Sequence, residues 1–249
     1  PSMTYWKDAW RRLKKNKAAM AGLLIIIIFT IMAIAGPLMV EHTYNNTNLE
    51  LLHQPPSKEH WFGTDELGRD IWARLWMGAR VSLFIGLSAA VIETVIGIII
   101  GGISGYVGGR VDMFVMRTVD ILSAIPELIF IILIMVIVGS GLLPIIIAFA
   151  LTGWFRMARL VRGQVLQLKE QEYVLAAKTL GADTGRLIFR HLIPNTLGVI
   201  IVTLTMAIPS AIFHEAFLSF IGIGIKPPAA SWGQLAQSGA ALFQIYPRE

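Results

Sequence analysis

Two side chains in the second half of the sequence have the types and spacing of a nucleophile and a base. Ser210 and His214 are four residues apart, so they would lie on one face of a helix. Such a pair supports covalent catalysis when a third group orients the base and an oxyanion site is present. The sequence indicates neither, so the pair is weak evidence for an intramembrane hydrolase, and no catalytic residue is predicted.

Three histidines in the first quarter of the chain raise the question of a metal site. His42, His53 and His60 are spread over a polar stretch at spacings that define no ligand geometry, and the sequence contains no cysteine. The chain also lacks a GxxxxGK[ST] loop, the motif that cradles nucleotide phosphates. We therefore predict no metal site and no cofactor in this chain, and any ATP chemistry would have to come from another chain.

Ionisable side chains also occur inside long apolar blocks, where an unpaired charge is costly. Glu93, Glu127, His214 and Glu215 lie in such blocks, and Asp120 lies near the end of one. A charged side chain at the centre of a bilayer costs about 2.5–3.5 kcal/mol on insertion scales, so these groups should face a partner helix or a wet pathway. Substrate-pathway contact and polar helix packing both stay open for the first four, whereas packing is favoured for Asp120.

The elements that carry these residues are predicted to be membrane-spanning helices. Hydrophobic residues make up 55% of the 249 residues and charged residues only 15%, which is not the composition of a soluble protein. The apolar residues form blocks of about 20 residues, the length at which a helix crosses roughly 30 Å of hydrocarbon. The predicted fold class is all-α, a polytopic helical membrane protein with five visible spans.

The same pattern divides the chain into segments along its length. The predicted segments are a basic segment over 1–17, a first span over 18–40, a loop over 41–82 with a surface helix over 65–82, spans two to five within 83–220, and an outer loop over 221–249. Span three ends near Val138, span four covers Leu142 to about Ala158, and span five starts at Pro194. No apolar block after residue 220 is long enough for a sixth span, and the expectation is that the end of the chain is absent.

The basic residues predict the orientation of these spans. Of the 21 Lys and Arg residues, fifteen fall in segments assigned to the inside and six in segments assigned to the outside. Cytoplasmic loops carry an excess of Lys and Arg, so this bias places the amino terminus in the cytoplasm. The basic residues flank the apolar blocks and form no continuous polar face, so the net charge of +5 indicates membrane topology and not nucleic-acid binding.

Four glycines recur along span two at helical spacing. Gly97, Gly101, Gly102 and Gly105 place small residues four apart on the helix surface. Small residues at this spacing let another helix approach closely. We predict that this face contributes to helix packing in an assembly with a second, homologous subunit, whereas the alternative is a flexible helix end.

The polar stretch between spans four and five has the pattern of a helix, a turn and a second helix within a coupling segment over 163–194. A short helix from Glu170 to Leu180 would end at Gly181, which can adopt left-handed capping geometry. Asp183 could cap a second helix running to Arg190. A helical hairpin outside the lipid serves a purpose when a soluble partner docks on it, while an ordinary solvated loop is the alternative.

This stretch resembles the EAA loop of ABC importer permeases, whose pattern is Glu-Ala-Ala, three residues, Gly, nine residues and Ile-x-Leu-Pro. Ala176, Ala177, Gly181 and Pro194 stand at matching positions, whereas Leu175, His191 and Ile193 depart from the pattern. The resemblance implies that the stretch couples the permease to an ATPase subunit. The residues assigned to that role are Glu172, Tyr173, Ala176, Ala177, Gly181, Ala182, Asp183, His191 and Pro194.

Other segments resemble the peptide and nickel branch of these permeases. They are the run from His60 to Asp70, the run from Gly105 to Gly109, and Ser231-Trp232-Gly233. Over nearly its whole length the chain looks like a C-type permease subunit of an oligopeptide or dipeptide importer, with the type I importer fold. That family implies six spans, a homologous permease, two subunits that bind ATP and magnesium, an extracellular substrate-binding protein and a bacterial or archaeal cytoplasmic membrane. Nickel or another small solute is the alternative substrate, and an ATP-independent channel is a further alternative.

Overall fold

The computed structural model describes residues 5–246, with side chains from Lys7 onward. Regular secondary structure in this range is helical, apart from an isolated bridge between Thr64 and Asp70. The helices are α1 Tyr5–Lys15, α2 Lys17–Ala35, α3 Ile71–Val107, α4 Gly109–Ser123, α5 Glu127–Val138, α6 Leu142–Thr152, α7 Trp154–Leu168, α8 Glu172–Thr179, α9 Thr184–Arg186, α10 Ile193–Phe220 and α11 Trp232–Leu242. A 3₁₀ turn over Gly36–Leu38 follows α2, and a π-helical segment over Leu187–Leu192 joins α9 to α10.

Four helical stretches in the described range are long and apolar enough to cross a membrane. They are Lys17–Leu38, Ile71–Val107, Leu142–Leu168 and Thr184–Phe220. The bent pair α4 and α5 makes a fifth if the two helices together count as one span. The predicted all-α fold class is therefore confirmed.

Contacts divide the chain into two compact units, and the boundary falls inside α3. One unit contains the chain up to Val81 and the chain from Pro227 onward, and the other is Ser82–Lys226. In the first unit, Asn16 caps the amino-terminal end of α2, because its side chain accepts a hydrogen bond from the Ala19 N–H at 3.1 Å. The side chain of Arg74, 1% exposed, donates to Gln234 Oε1 at 2.7 Å and so ties α3 to α11 within this unit.

The helix predicted over 65–82 begins later than the sequence suggested. The Asp70 side chain accepts a hydrogen bond from the Ala73 N–H at 2.7 Å, so Asp70 caps α3, which starts at Ile71. Ahead of it, the Asp65 side chain accepts from the backbone N–H groups of Leu67 at 2.9 Å and Arg69 at 3.0 Å. These local bonds hold residues 65–70 as turns and compete with helix.

Span three is not the single helix that the sequence predicted. The axes of α4 and α5 differ by 83°, with the break between Ser123 and Glu127. Pro126 lies in this break, where it has no N–H to donate and disfavours helical geometry at the residue before it. The pair is a broken span or a re-entrant loop, a distinction that apolar length alone does not reveal.

Span four and span five also extend beyond the predicted bounds. Span four continues through α7 to Leu168 instead of ending near Ala158. The helix after Asp183 does not stop at Arg190, because helical structure continues from Thr184 to Phe220. Within that stretch α10 begins at Ile193 with Pro194 in its first turn, close to the predicted start of span five. The π-helical turn just before Pro194 accommodates a residue that cannot make the ordinary i→i−4 bond.

The glycine face of α3 packs against other helices of the same chain. A methyl group at Gly97 would overlap a side chain of α7, and one at Gly101 would overlap the carbonyl oxygen of Ala158. At Gly105 the nearest α7 carbonyl oxygen would be 2.9 Å away, and Gly102 faces the π-helical segment. The predicted role in helix packing is confirmed, but the neighbour here is α7 and not a second permease.

Candidate functional site

The helix α8 ends in a capping arrangement that Gly181 makes feasible. Gly181 has a φ of 84°, and its N–H donates to the Lys178 carbonyl at 3.0 Å. The Ala182 N–H donates to the Ala177 carbonyl at 3.1 Å. These two bonds form a Schellman motif, which reverses the chain direction after α8 and confirms the predicted left-handed cap.

The turn after α8 leads directly into the next helix. The Asp183 side chain accepts a hydrogen bond from the Arg186 N–H at 2.8 Å, so Asp183 caps that helix as predicted. His191 is partly buried in the π-helical segment, and its carbonyl accepts a bond from the Asn195 side chain at 2.6 Å. Pro194 is exposed within the continuing helix. Of the residues assigned to coupling, His191 and Pro194 therefore belong to a different helix from α8.

The two faces of α8 differ sharply in burial. Val174, 2% exposed, packs into a core formed with residues of α7, the π-helical segment and α10. Ala177 and Ala182 lie partly buried against that core, whereas Glu172, Tyr173 and Ala176 are exposed. One face therefore anchors α8 and the other is open.

Sequence reasoning missed the most prominent apolar side chain of this region. Leu180, directly before the capping glycine, is 88% exposed, and Leu175 on α8 is 47% exposed. Leu175 is also the position where the EAA pattern has Glu. Together with Tyr173, which is 42% exposed, these side chains give the open side of α8 and its cap several exposed apolar groups that a partner surface could cover. No pattern in the sequence indicates this exposure, because it depends on which face of α8 packs against the core.

An ion pair ties the neighbouring helix ends together. The Asp112 carboxylate accepts two hydrogen bonds from the Arg162 guanidinium, each at 2.5 Å, and a third from the Ser104 hydroxyl at 2.6 Å. These contacts join α3, α4 and α7 next to the Gly108–Gly109 turn. Such a bidentate pair fixes geometry as well as charge. Gly108 and Gly109 both have positive φ values, a conformation that glycine adopts without steric cost.

A second candidate region lies within Ser82–Lys226, where several ionisable residues meet. Glu93 from α3, Glu127 from α5, and Ser210 and His214 from α10 line one cavity of about 70 Å³. Arg156 of α7 lines the same cavity. Three of the four residues singled out for a pathway or a packing role are therefore brought together. Ser210 and His214 do share a helix face, but their cavity mixes carboxylates with a guanidinium.

The fourth of those residues, Glu215, lies elsewhere. Its side chain is fully buried, and its two oxygens accept hydrogen bonds from the hydroxyls of Ser82 and Ser219, both at 2.8 Å. Asp120 likewise has a local partner, since it accepts a bond from Arg159 at 2.9 Å. The bond from Ser82 joins α3 to α10 and the bond from Arg159 joins α7 to α4, so both acidic residues make contacts of the packing type.

The three histidines near the amino terminus do not converge. His60 Nδ1 lies 2.8 Å from an oxygen of Asp70, His42 stacks on His60 with ring centres 4.4 Å apart, and His53 stacks on Tyr246. Across residues 5–246 there is no group of three or more His, Asp or Glu side chains arranged to hold a metal ion.

Known proteins resemble this chain over nearly all of its length. A family model described as "Binding-protein-dependent transport system inner membrane component" matches residues 97–246, and one described as "N-terminal TM domain of oligopeptide transport permease C" matches residues 4–56. The chain belongs to this family of inner-membrane transport components. The family expected from the EAA-like segment is thereby confirmed, and the chain is a multi-pass membrane permease.

Individual relatives of this permease agree with that placement. The oligopeptide transport system permease protein OppC of Bacillus subtilis is 55% identical over 99% of the permease and 81% of the relative. The dipeptide transport system permease protein DppC of the same organism is 55% identical over 96% and 75%. The oligopeptide transport system permease protein OppC of Escherichia coli K12 is 39% identical over 97% and 81%.

Proposed function

We propose that this permease is a transmembrane subunit of an ATP-driven importer that moves di- or oligopeptides across the cytoplasmic membrane by alternating access. The peptide substrate is inferred from the names of the relatives that are 55% identical to it. The coupling role rests on one structural observation above all. Helix α8 has one face anchored in a core and one open face that exposes Tyr173 and Leu175, and it ends in the Schellman turn at Gly181.

The partners follow from this role. Two ATP-binding subunits supply ATP hydrolysis with magnesium, one of them receiving the α8 region, and a homologous permease completes the membrane pathway. An extracellular substrate-binding protein delivers the peptide. The excess of basic residues in the segments assigned to the inside supports an amino terminus and an α8 that both lie in the cytoplasm.

The packing around α8 suggests how movement would reach the membrane. Val174 of α8 shares a buried core with Val165 and Met157 of α7 and with Ile188 of the π-helical segment. Met157 also lines the cavity that contains Glu93. Closure of the ATP-binding subunits would displace α8, and the packed core would carry that displacement to α7 and α10 as rigid elements. The spans would then alternate between inward-open and outward-open arrangements.

The docking role is tested by Gly181→Trp in the complete importer, co-expressed with its partner permease and ATP-binding subunits. The substitution adds bulk beside Leu180 and strains a residue whose φ is 84°. We expect the membrane complex to lose its ATP-binding subunits on purification, together with at least about 90% of its ATPase activity, as expected when an interface anchor is disrupted.

Gly139→Trp is the matched control. Gly139 has a φ of 104° and, like Gly181, has no atom within 4 Å of an added Cβ. It lies in the turn between α5 and α6, so the strain and bulk are similar but the α8 surface is untouched. Loss of the ATP-binding subunits in both variants, or in neither, would contradict the docking role of α8.

A further inference from the structure

The cavity lined by α3, α5, α7 and α10 contains ionisable side chains that find no strong partner among residues 5–246. Glu93 and Arg156 line it, yet neither makes a hydrogen bond or ion pair with any residue in the described part of the chain. In the described range Glu127 forms an ion pair with His214, with 4.0 Å between the imidazole Nδ1 and a carboxylate oxygen. Unpaired ionisable groups within helices long and apolar enough to span a membrane are costly, and such groups are candidates for a functional site.

Thr94 provides an independent indication of a ligand. It lines the same cavity and is 5% exposed, and its hydroxyl oxygen has no hydrogen-bond partner among residues 5–246. Buried hydroxyls are satisfied in most proteins, and a threonine in a helix ordinarily bonds a carbonyl of the preceding turn. The Thr94 hydroxyl and the carboxyl groups of Glu93 and Glu127 together provide hydrogen-bond acceptors for a ligand that carries several N–H donors.

Gly153 makes room for the Glu93 side chain. Gly153 lies between α6 and α7, and a methyl group at this position would overlap the carboxyl group of Glu93, so the absence of a side chain there allows that carboxyl group to occupy its place. Glycine is found where one chain must approach another closely, and here it admits a carboxyl group instead of a neighbouring helix. The local structure therefore favours keeping Glu93 beside the cavity.

We propose that this cavity binds the amino-terminal residue of the transported peptide, with Glu93 and Glu127 pairing with its protonated amino group and the Thr94 hydroxyl accepting a hydrogen bond. The inference rests on the proposed peptide-import function. Arg156, on the same cavity wall, donates to the first peptide carbonyl. A volume of about 70 Å³ holds the end of a peptide but not its length, so recognition is confined to the feature that all peptides with a free amino terminus share.

The test uses the complete importer in lipid nanodiscs without its binding protein, and saturation-transfer NMR with two small ligands. Trialanine carries the protonated amino group, and N-propionyl-alanyl-alanine has nearly the same shape without it. We expect trialanine to bind at least about tenfold more tightly than the neutral analogue, which corresponds to about 1.4 kcal/mol. Saturation transfer should be strongest at the methyl group of the first alanine.

Variants separate this site from general effects on folding. Glu93→Gln keeps the size of the side chain and should reduce trialanine affinity to about that of the neutral analogue, while leaving the affinity of the analogue unchanged. Glu50→Gln removes one carboxylate from an exposed loop position and should change neither value. If Glu93→Gln does not assemble, Thr94→Val, which preserves shape, should weaken only trialanine binding, by about threefold, as expected for one lost hydrogen bond.

Several outcomes would overturn the proposal. Equal affinities of the wild-type importer for the two ligands would do so, as would a preference for trialanine that survives both substitutions. Release of free alanine in the same NMR samples, abolished by Ser210→Ala, would assign the cavity to hydrolysis instead. ATP-dependent uptake of trialanine into proteoliposomes with the binding protein present is measured in parallel. If trialanine is taken up but the importer binds the two ligands equally well, only the proposed binding site is refuted. If trialanine is not taken up at all, the proposed import function is refuted.

Discussion

Glu93 and Glu215 lie in the same unit of the molecule, and both interrupt apolar stretches, yet their surroundings are opposite. Glu215 is fully buried, and both of its oxygens accept hydrogen bonds from serine hydroxyls at 2.8 Å. One of these serines, Ser219, also accepts a bond from the Ile225 N–H at 3.0 Å. Glu93 has no such partner in the described range and lines a cavity. A carboxylate whose partners are all supplied by the protein stabilises the fold, and one without partners is available to a ligand.

The largest effect on stability is expected at Glu215, and it tests most directly whether Glu215 and Glu93 differ in role. Glu215→Ala removes two accepted hydrogen bonds and leaves a void among buried helices, so the free energy of unfolding should fall by about 3 kcal/mol. Denaturant unfolding in mixed micelles measures this value. Glu93→Gln in the same assay should change stability by no more than about 0.5 kcal/mol. Similar losses at both positions would show that Glu93 also has a packing role.

Gly153→Ala tests whether the position of the Glu93 carboxyl group matters for binding more than for stability. The added methyl group would displace the Glu93 carboxyl group, which is the end of a flexible side chain, so stability should change by less than about 1 kcal/mol. Trialanine affinity should nevertheless fall about as far as in Glu93→Gln, roughly tenfold. Gly198→Ala on α10 is the control, since an added Cβ there meets no atom within 4 Å. Unchanged affinity in Gly153→Ala would refute the positioning of Glu93 by this glycine.

The smallest effect is expected at Thr94, where the sign of the change in the free energy of unfolding shows whether the hydroxyl has a partner. Thr94→Val replaces an unpartnered buried hydroxyl with a methyl group of similar size, so the free energy of unfolding should rise by about 0.5–1 kcal/mol. The same unfolding assay measures the change, with Thr152→Val as a contrast, because the Thr152 hydroxyl donates to the Ala148 carbonyl at 3.0 Å. A loss of stability in Thr94→Val would mean that the hydroxyl is already satisfied within the protein.

Features that depend on a few adjacent residues were predicted well from the sequence. The left-handed cap at Gly181 and the capping role of Asp183 were both predicted from residue type. This was possible because each of their hydrogen bonds joins residues that are at most five apart in sequence. Whether helical structure breaks or continues at a proline was not predicted. Pro126 marks an 83° break inside an apolar stretch, whereas Pro194 continues a helix through a π-helical turn. The same residue type gives both results, since the surrounding packing decides which one costs less.

The sequence by itself determined that this is a helical membrane protein, since blocks of about 20 apolar residues have few other stable solutions in lipid. It also determined the cap of α8 and, through the EAA-like pattern, the family. Only the tertiary structure decided that the glycines of α3 pack against α7, that Leu180 is exposed, and that Glu93 and Glu215 have different surroundings. Whether a carboxylate finds a partner depends on side chains far away in sequence, and only folding brings those side chains together.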